Sequence, residues 1–418
     1  MSAAVAPARR PFPLFIAGIA LTQILGWGTT FYLPSILDEP IGRDLGLGRD
    51  VIYGGITVML FVAALAGPGL GAWIDRSGAR QPLLIGKLLL GAGLVGIGLS
   101  TGPVTYLASW LLIGLATPLA LSIGSLAAVT QSFPERGRRG LSALLLFGGL
   151  SNGLVWPLTG WLEVNLGWRA VCFIYAGLQV FLCLPLVHGL VRAPAASAAA
   201  EADDSAPTPG QLTAAQRRHG FWLLIVAAGF SGLVSWGLPL YFVAMFREAG
   251  MDAGMAIILA SVTAYATFFA RVTDFALAGR FTGVRIAAAA SLGSPIVFVM
   301  MLAALGLMAP GGAQLAALGA AMAIYGVATG LIATSRATLP FEMFGSSGYA
   351  SMLGRLSFFL NLMFAASPLL FAFIYERAGQ QMALWVGLAG SLCAAIAYLR
   401  LDALVGGAMP RPEASGPA

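Results

Sequence analysis

The chain has 418 residues, of which 58% are apolar and only 10% charged, with a formal net charge of +6. A soluble domain carries roughly 25% charged residues, so there is too little polar surface here to cover a water-soluble globule of this size. A bilayer is the solvent that fits.

The chain opens with Arg9-Arg10 and an apolar run. That run continues through Trp27 to Leu37 with no small-residue cleavage pattern, so it reads as a membrane span rather than a removed signal. A span needs about 20 predominantly apolar residues. Six such stretches follow one another at 13–37, 51–74, 82–101, 104–130, 140–164 and 168–190. Residues 191–219 are acidic, proline-bearing and rich in small side chains, with no apolar face to bury, and they read as a linker. Six more stretches complete the set at 220–246, 253–279, 284–308, 312–338, 347–375 and 380–401. The expected organisation is an all-α integral membrane protein with twelve transmembrane helices. An amino-terminal six-helix half (1–190) and a carboxy-terminal half (220–418) flank a cytoplasmic linker (191–219).

With both termini cytoplasmic, the inner loops hold eighteen of the 23 basic residues, Lys87 and Arg336 counted among them. The outer loops hold only Arg43, Arg49, Arg169, Arg247 and Arg377. This is a positive-inside bias, and it leaves no basic patch to implicate nucleic acid.

The halves repeat. Trp27-Gly28 and Tyr32 return as Trp236-Gly237 and Tyr241, Phe12 as Phe221, and Asn152 as Asn361, all at one offset of 209. Gly137 and Gly140 return as Gly345 and Gly348 at an offset of 208, and Gly78-Ala79-Arg80 as Gly283-Val284-Arg285 at 205. Parallel six-helix repeats related by an axis along the membrane normal are one established transporter plan.

The segment Gly71-Ala72-Trp73-Ile74-Asp75-Arg76-Ser77-Gly78-Ala79-Arg80 resembles the signature loop of the major facilitator superfamily. The resemblance, carried by this loop and the twelve-span plan, implies two pseudo-symmetric six-helix bundles and transport by alternating access. It also implies that Gly71, Asp75, Arg76, Gly78 and Arg80 form a gating loop that latches the inner side. In the second copy Asp75 corresponds to Arg280, so the latch is asymmetric. Gly149-x-x-x-Gly153 and Trp156-Pro157-x-x-Gly160 partly resemble the antiporter motif of drug exporters, but tryptophan stands at two positions where that motif has glycine. A packing face with a proline kink is the favoured reading of them.

Intramembrane charge is a functional hypothesis by default. Arg271 and Arg355 each sit eight residues into a span, roughly 12 Å deep at 1.5 Å per residue. This pair resembles the oxalate–formate antiporter and monocarboxylate transporter branch, in which basic residues on the eighth and eleventh helices hold substrate carboxylates. Arginine suits that task because its planar fork binds a carboxylate bidentately and stays charged. The alternative is that both side chains snorkel to the interface or pair locally, with Asp274 three residues from Arg271.

On the first span Gln23, Trp27 and Thr30 share a face with Pro34, and Trp236, Tyr32 and Tyr241 extend the set. These residues either wall a midplane cavity or pack helices and anchor the interface. Asn152 and Asn361 are either ligand contacts or interhelical glue. All seventeen acidic residues fall in loops or near helix ends, so a carboxylate proton relay is not expected.

No intramembrane catalytic constellation, cofactor motif or metal-ligand spacing occurs, and Cys172, Cys183 and Cys393 lie singly in apolar stretches. The expected partners are the lipid bilayer, a small-molecule substrate and a coupling ion or counter-anion, with a monomer sufficient for the mechanism. The favoured cargo is a small organic anion carried across a bacterial inner membrane. The rival reading is an efflux pump for drugs or for metalloids such as arsenite.

Overall fold

The computed structural model describes residues 11–148, 151–192, 213–276, 281–345 and 348–406. It is helical, with no strand among the described residues. Among the described residues, ten stretches are long and apolar enough to cross a membrane. The longest, Tyr349–Val405, holds two helices that meet at Gly379, whose φ of 79° breaks the helical run. The expected span at 140–164 is present as Gly137–Gly148 and Ser151–Leu166, on either side of two residues outside the description. Large apolar side chains such as Phe181 and Val164 face outward, at 82% and 80% exposure, as expected when lipid is the solvent.

The chain divides into two compact units, Met1–Pro194 and Ala195–Ala418. Unit 1 contains α1 (Phe12–Thr29), α2 (Pro34–Leu45), α3 (Arg49–Ser77), α4 (Arg80–Gly98) and α5 (Pro103–Ala116). It continues with α6 (Ile123–Ser132), α7 (Gly137–Gly148), α8 (Ser151–Leu166), α9 (Trp168–Gly177) and α10 (Leu184–Leu190). Two wide π-helical turns interrupt it, Thr117–Leu121 between α5 and α6 and Leu178–Cys183 between α9 and α10. Prolines at 118 and 185 stand in or beside them, each removing a backbone N–H from the helical ladder.

Unit 2 contains α11 (Ala214–Gly237), α12 (Phe242–Glu248), α13 (Ala253–Ala276), α14 (Gly283–Ser291), α15 (Gly293–Gly306), α16 (Gly312–Phe344) and α17 (Tyr349–Gly406).

The sequence repeat has physical counterparts inside each unit. The expected first span breaks before Pro34, and the seventh narrows to a 3-10 turn at Leu238–Tyr241 around Pro239. Gly28 lets Val155 of α8 approach so closely that a Cβ would lie 2.4 Å from it; Gly237 does the same for Ser367 and Phe371 of α17. At the start of α4 the Ala79 amide donates to Gln131 Oε1 at 2.9 Å, and at the start of α14 the Gly283 amide donates to Glu342 at 2.8 Å. A side chain near the end of the following span therefore satisfies an orphan helix-start amide in both units.

Lys87 and Arg336, counted with the inner loops, prove to lie well inside helices. Lys87 is fully buried in α4, and Arg336 lies within α16. A charge near a span boundary in sequence is assigned to the nearest loop by default, and nothing in the sequence says which helix face it occupies.

Candidate functional site

In unit 2, α13 and α16 pack at unusually close range. Gly326 and Gly330, four apart on α16, face the backbone carbonyls of Thr263 and Thr267, four apart on α13. A Cβ on Gly326 would lie 2.4 Å from the Thr263 carbonyl oxygen, so only glycine permits this approach. The Thr267 hydroxyl seals the seam by donating to the Gly326 carbonyl at 3.0 Å. One helical step of four beyond Thr267 on the same face stands Arg271, and six residues beyond Gly330 stands Arg336. The seam thus brings the two guanidinium groups into mutual electrostatic range.

Arg336 borders a narrow polar cavity with about 10 Å³ open to the centre of a water molecule, room for about one water in this conformation. Ser231 and Ser235 of α11, Ser291 of α14, Ser294 of α15 and Ser391 of α17 converge on it, with Tyr325 and Thr329 from α16. Four of the serines spend their protons on carbonyls of their own helices: Ser231 on Ala228, Ser235 on Gly232, Ser291 on Ala288 and Ser391 on Leu388. They can turn lone pairs to the cavity, and Arg336 and Tyr325 supply the donors. The Nε of Arg336 and the hydroxyl of Tyr325 are buried without a hydrogen-bond partner. Unmet buried donors cost free energy unless a ligand or water meets them. The Arg336 guanidinium also lies 5.3 Å from the centroid of the Phe364 ring, and Trp236 stacks on that ring at 5.0 Å. A cation held by an aromatic face, with a fork of N–H groups turned to a hydroxyl-lined cavity, is chemically suited to a small oxyanion.

The other sequence-derived candidates fall in different settings. Arg271 is half-buried, Asp274 is buried at 6% exposure, and Arg355 on α17 is exposed. Gln23 is buried and donates to the Ala120 carbonyl at 2.9 Å, and the Thr30 hydroxyl donates to the Gly26 carbonyl at 2.6 Å. Trp27 and Tyr32 are half-buried, Tyr32 lying edge-on to Trp156 at 6.2 Å. Tyr241 stacks on Tyr375 at 4.9 Å, and the Tyr375 hydroxyl donates to Glu248 at 2.5 Å. Asn361 is half-buried, and the side chain of Asn152 lies outside the described residues.

In the loop, Gly78 takes φ 77°, Arg76 Nε donates to the Ala72 carbonyl at 3.2 Å, and Gly71 is buried. Asp75 is half-buried, and Arg80 reaches His188 of α10 at 3.1 Å.

The Major Facilitator Superfamily model matches residues 18–350. The chain belongs to that superfamily. Curated relatives include rat monocarboxylate transporter 4, 25% identical over 60% of this chain and 53% of that protein. The oxalate:formate antiporter of Oxalobacter formigenes is 23% identical over 60% of this chain and 59% of its own. The purine ribonucleoside efflux pump NepI of Escherichia coli is 29% identical over 39% of this chain and 41% of its own. The chain thus spans roughly half the length of the curated relatives it matches.

Among solved structures, the human organic anion transporter MFSD10 (TETRAN) superposes with a TM-score of 0.68 at 16% identity, covering 94% of this chain and all of that one. A bacterial homologue of the iron transporter ferroportin, in an outward-facing state, gives 0.73 at 14% identity, covering 94% and 99%. At these identities the likeness shows the fold. As a superfamily member with many apolar helices, the chain is an integral membrane protein, and the relatives it matches are transporters rather than enzymes.

Proposed function

We propose that this chain moves a small organic anion, a carboxylate, across a bacterial inner membrane by alternating access, as a secondary or facilitative transporter. Twelve spans in two six-helix bundles with both termini cytoplasmic complete the proposal. The Arg336 cavity carries it: a cation with a buried, unmet N–H, an unmet tyrosine hydroxyl and a ring of serines. Arg271 adds a second positive charge within electrostatic range of Arg336, which favours an anion there. The cavity has to widen as unit 2 changes conformation, because a carboxylate needs more room than one water. Relatives named for monocarboxylates and for oxalate and formate lend the same direction.

The test is ligand-induced thermal stabilisation of the purified protein with formate, acetate, lactate, pyruvate and oxalate, beside neutral and cationic drugs. Wild type is run with Arg271→Gln, Arg336→Gln and Arg355→Gln. A carboxylate should stabilise the wild type and fail to stabilise the Arg336 variant. Stabilisation of all four proteins by a nucleoside or a cationic drug, and by no carboxylate, would replace this reading with efflux. The partial match to a nucleoside efflux pump keeps that second reading specific.

A further inference from the structure

Of the 23 lysine and arginine residues in the chain only one, Lys87, is lysine. The other 22 are arginine, which keeps its proton throughout the pH range of a cell, whereas lysine can release its own. That single lysine is not at the surface. It sits seven residues into α4 with no exposed area, roughly 10 Å along the helix from Arg80.

Its Nζ donates to the Thr22 carbonyl of α1 at 3.1 Å, the hydrogen bond recorded for it. Gly26, one turn further on α1, admits the side chain of Leu121, from which a Cβ there would lie 2.2 Å, and that Cβ would stand 3.6 Å from Nζ. Another turn along the same face, Thr29 accepts from Gln179, whose Oε1 is buried with no partner. Gln179 and Cys183 belong to the π-helical turn Leu178–Cys183, and the other π-helical turn, Thr117–Leu121, packs on α4 beside Gly86. Wide turns of this kind interrupt helices most often at functional positions.

The titratable groups around Lys87 can be taken element by element. The turn Leu178–Cys183 brings the buried Cys183 thiol within electrostatic range of the amine. From α10 comes His188, exposed and in contact with Arg80 at the start of α4. From α9 come Arg169, Cys172 and Tyr175, toward the far end of α4, and from α5 comes the buried Tyr106. From α3 come Asp75 and Arg76, at the end that leads into α4, and Tyr53 toward its start; α6, the facing part of α1 and the turn Thr117–Leu121 bring only neutral groups. No acidic side chain pairs with the amine among the described residues.

We propose that Lys87 is a proton-binding site of the transporter, taking up and releasing one proton as the amino-terminal unit changes conformation. The Nζ lone pair takes the proton from water and returns it to water, and nothing is oxidised or reduced. One proton moving with one carboxylate would leave the cargo step electrically neutral. That coupling rests on the organic-anion reading, but proton binding at Lys87 does not.

A single lysine makes the test direct. The full chain, labelled with 13C-lysine in lipid nanodiscs, should give one lysine side-chain signal, absent from Lys87→Arg. The signal should pass between its ammonium and amine positions within the pH range in which the protein stays folded. A signal that holds the ammonium position across that range overturns the proposal. In proteoliposomes an inward proton gradient should stimulate uptake of labelled oxalate or lactate by wild type several-fold. Lys87→Met and Lys87→Arg should each lose that stimulation, while a preserved melting transition shows that they fold. Variants that keep the stimulation, or a wild type that transports the anion without responding to the gradient, overturn the coupling. Absence of any carboxylate transport defeats the organic-anion reading instead, and the lysine signal still decides whether Lys87 binds a proton.

Discussion

Arg336 and Lys87 are basic residues held inside helical units, and they differ in what each can do with a proton and an anion. Arg336 keeps its charge and presents a planar fork, so it can hold an oxyanion in one orientation. Replacing it by lysine leaves a cation but removes the fork. Arg336→Lys should therefore bind the cognate carboxylate more weakly than wild type, and Arg336→Gln more weakly still. A charge-assisted hydrogen bond contributes about 1.5–3 kcal/mol, so the glutamine variant should lose on the order of 10- to 100-fold in affinity. Titration calorimetry on both variants checks the order. Equal losses would mean that the fork alone, and not the charge that lysine keeps, sets affinity.

The element scale decides whether these side chains meet at all. Gly326 and Gly330 let α16 lie against α13 at backbone distance, and everything beyond them on both helices inherits that spacing. Gly326→Leu should force the helices apart and cost about 1–3 kcal/mol. The readouts are a lower melting temperature in a thermal shift assay and a loss of carboxylate-induced stabilisation. In unit 1, Arg169 plays a similar organising part. Its guanidinium donates to the Gly98 and Ser100 carbonyls at 2.7 and 3.0 Å and to Asp44 at 2.9 Å, and it lies 4.4 Å from the Trp168 ring. It ties the end of α4 and the loop before α5 to α2. Being 39% exposed, it gains less than a buried network would. Arg169→Met should still lower the melting temperature by a few degrees without changing ligand stabilisation.

For the whole molecule, the open matter is orientation. In a variant with Cys172, Cys183 and Cys393 replaced, a cysteine at Ala214 should resist a membrane-impermeant maleimide in intact cells, and one at Asp252 should react. The reverse pattern would invert the proposed topology. Most of the architecture was legible in advance, because a span is a long apolar run whose length is set by the bilayer, and a duplicated span repeats its tryptophan and glycine. The Trp-Gly pairs at 27–28 and 236–237 could be read for that reason. Arg271 was visible too, as a charge well inside a run.

Lys87 and Arg336 were legible as residues but not as sites. Both fall near ends of apolar runs, where a charge belongs to a loop unless helix rotation turns it inward. Apolar length and the signature loop were enough, with no coordinates, to indicate a membrane protein of this superfamily. Which helix faces meet is another matter. It depends on glycines that admit a neighbouring backbone and on prolines that widen a turn, and both act across residues far apart in the chain. Only the tertiary structure could therefore bring Arg336 to a serine-lined cavity and Lys87 to the carbonyl of Thr22.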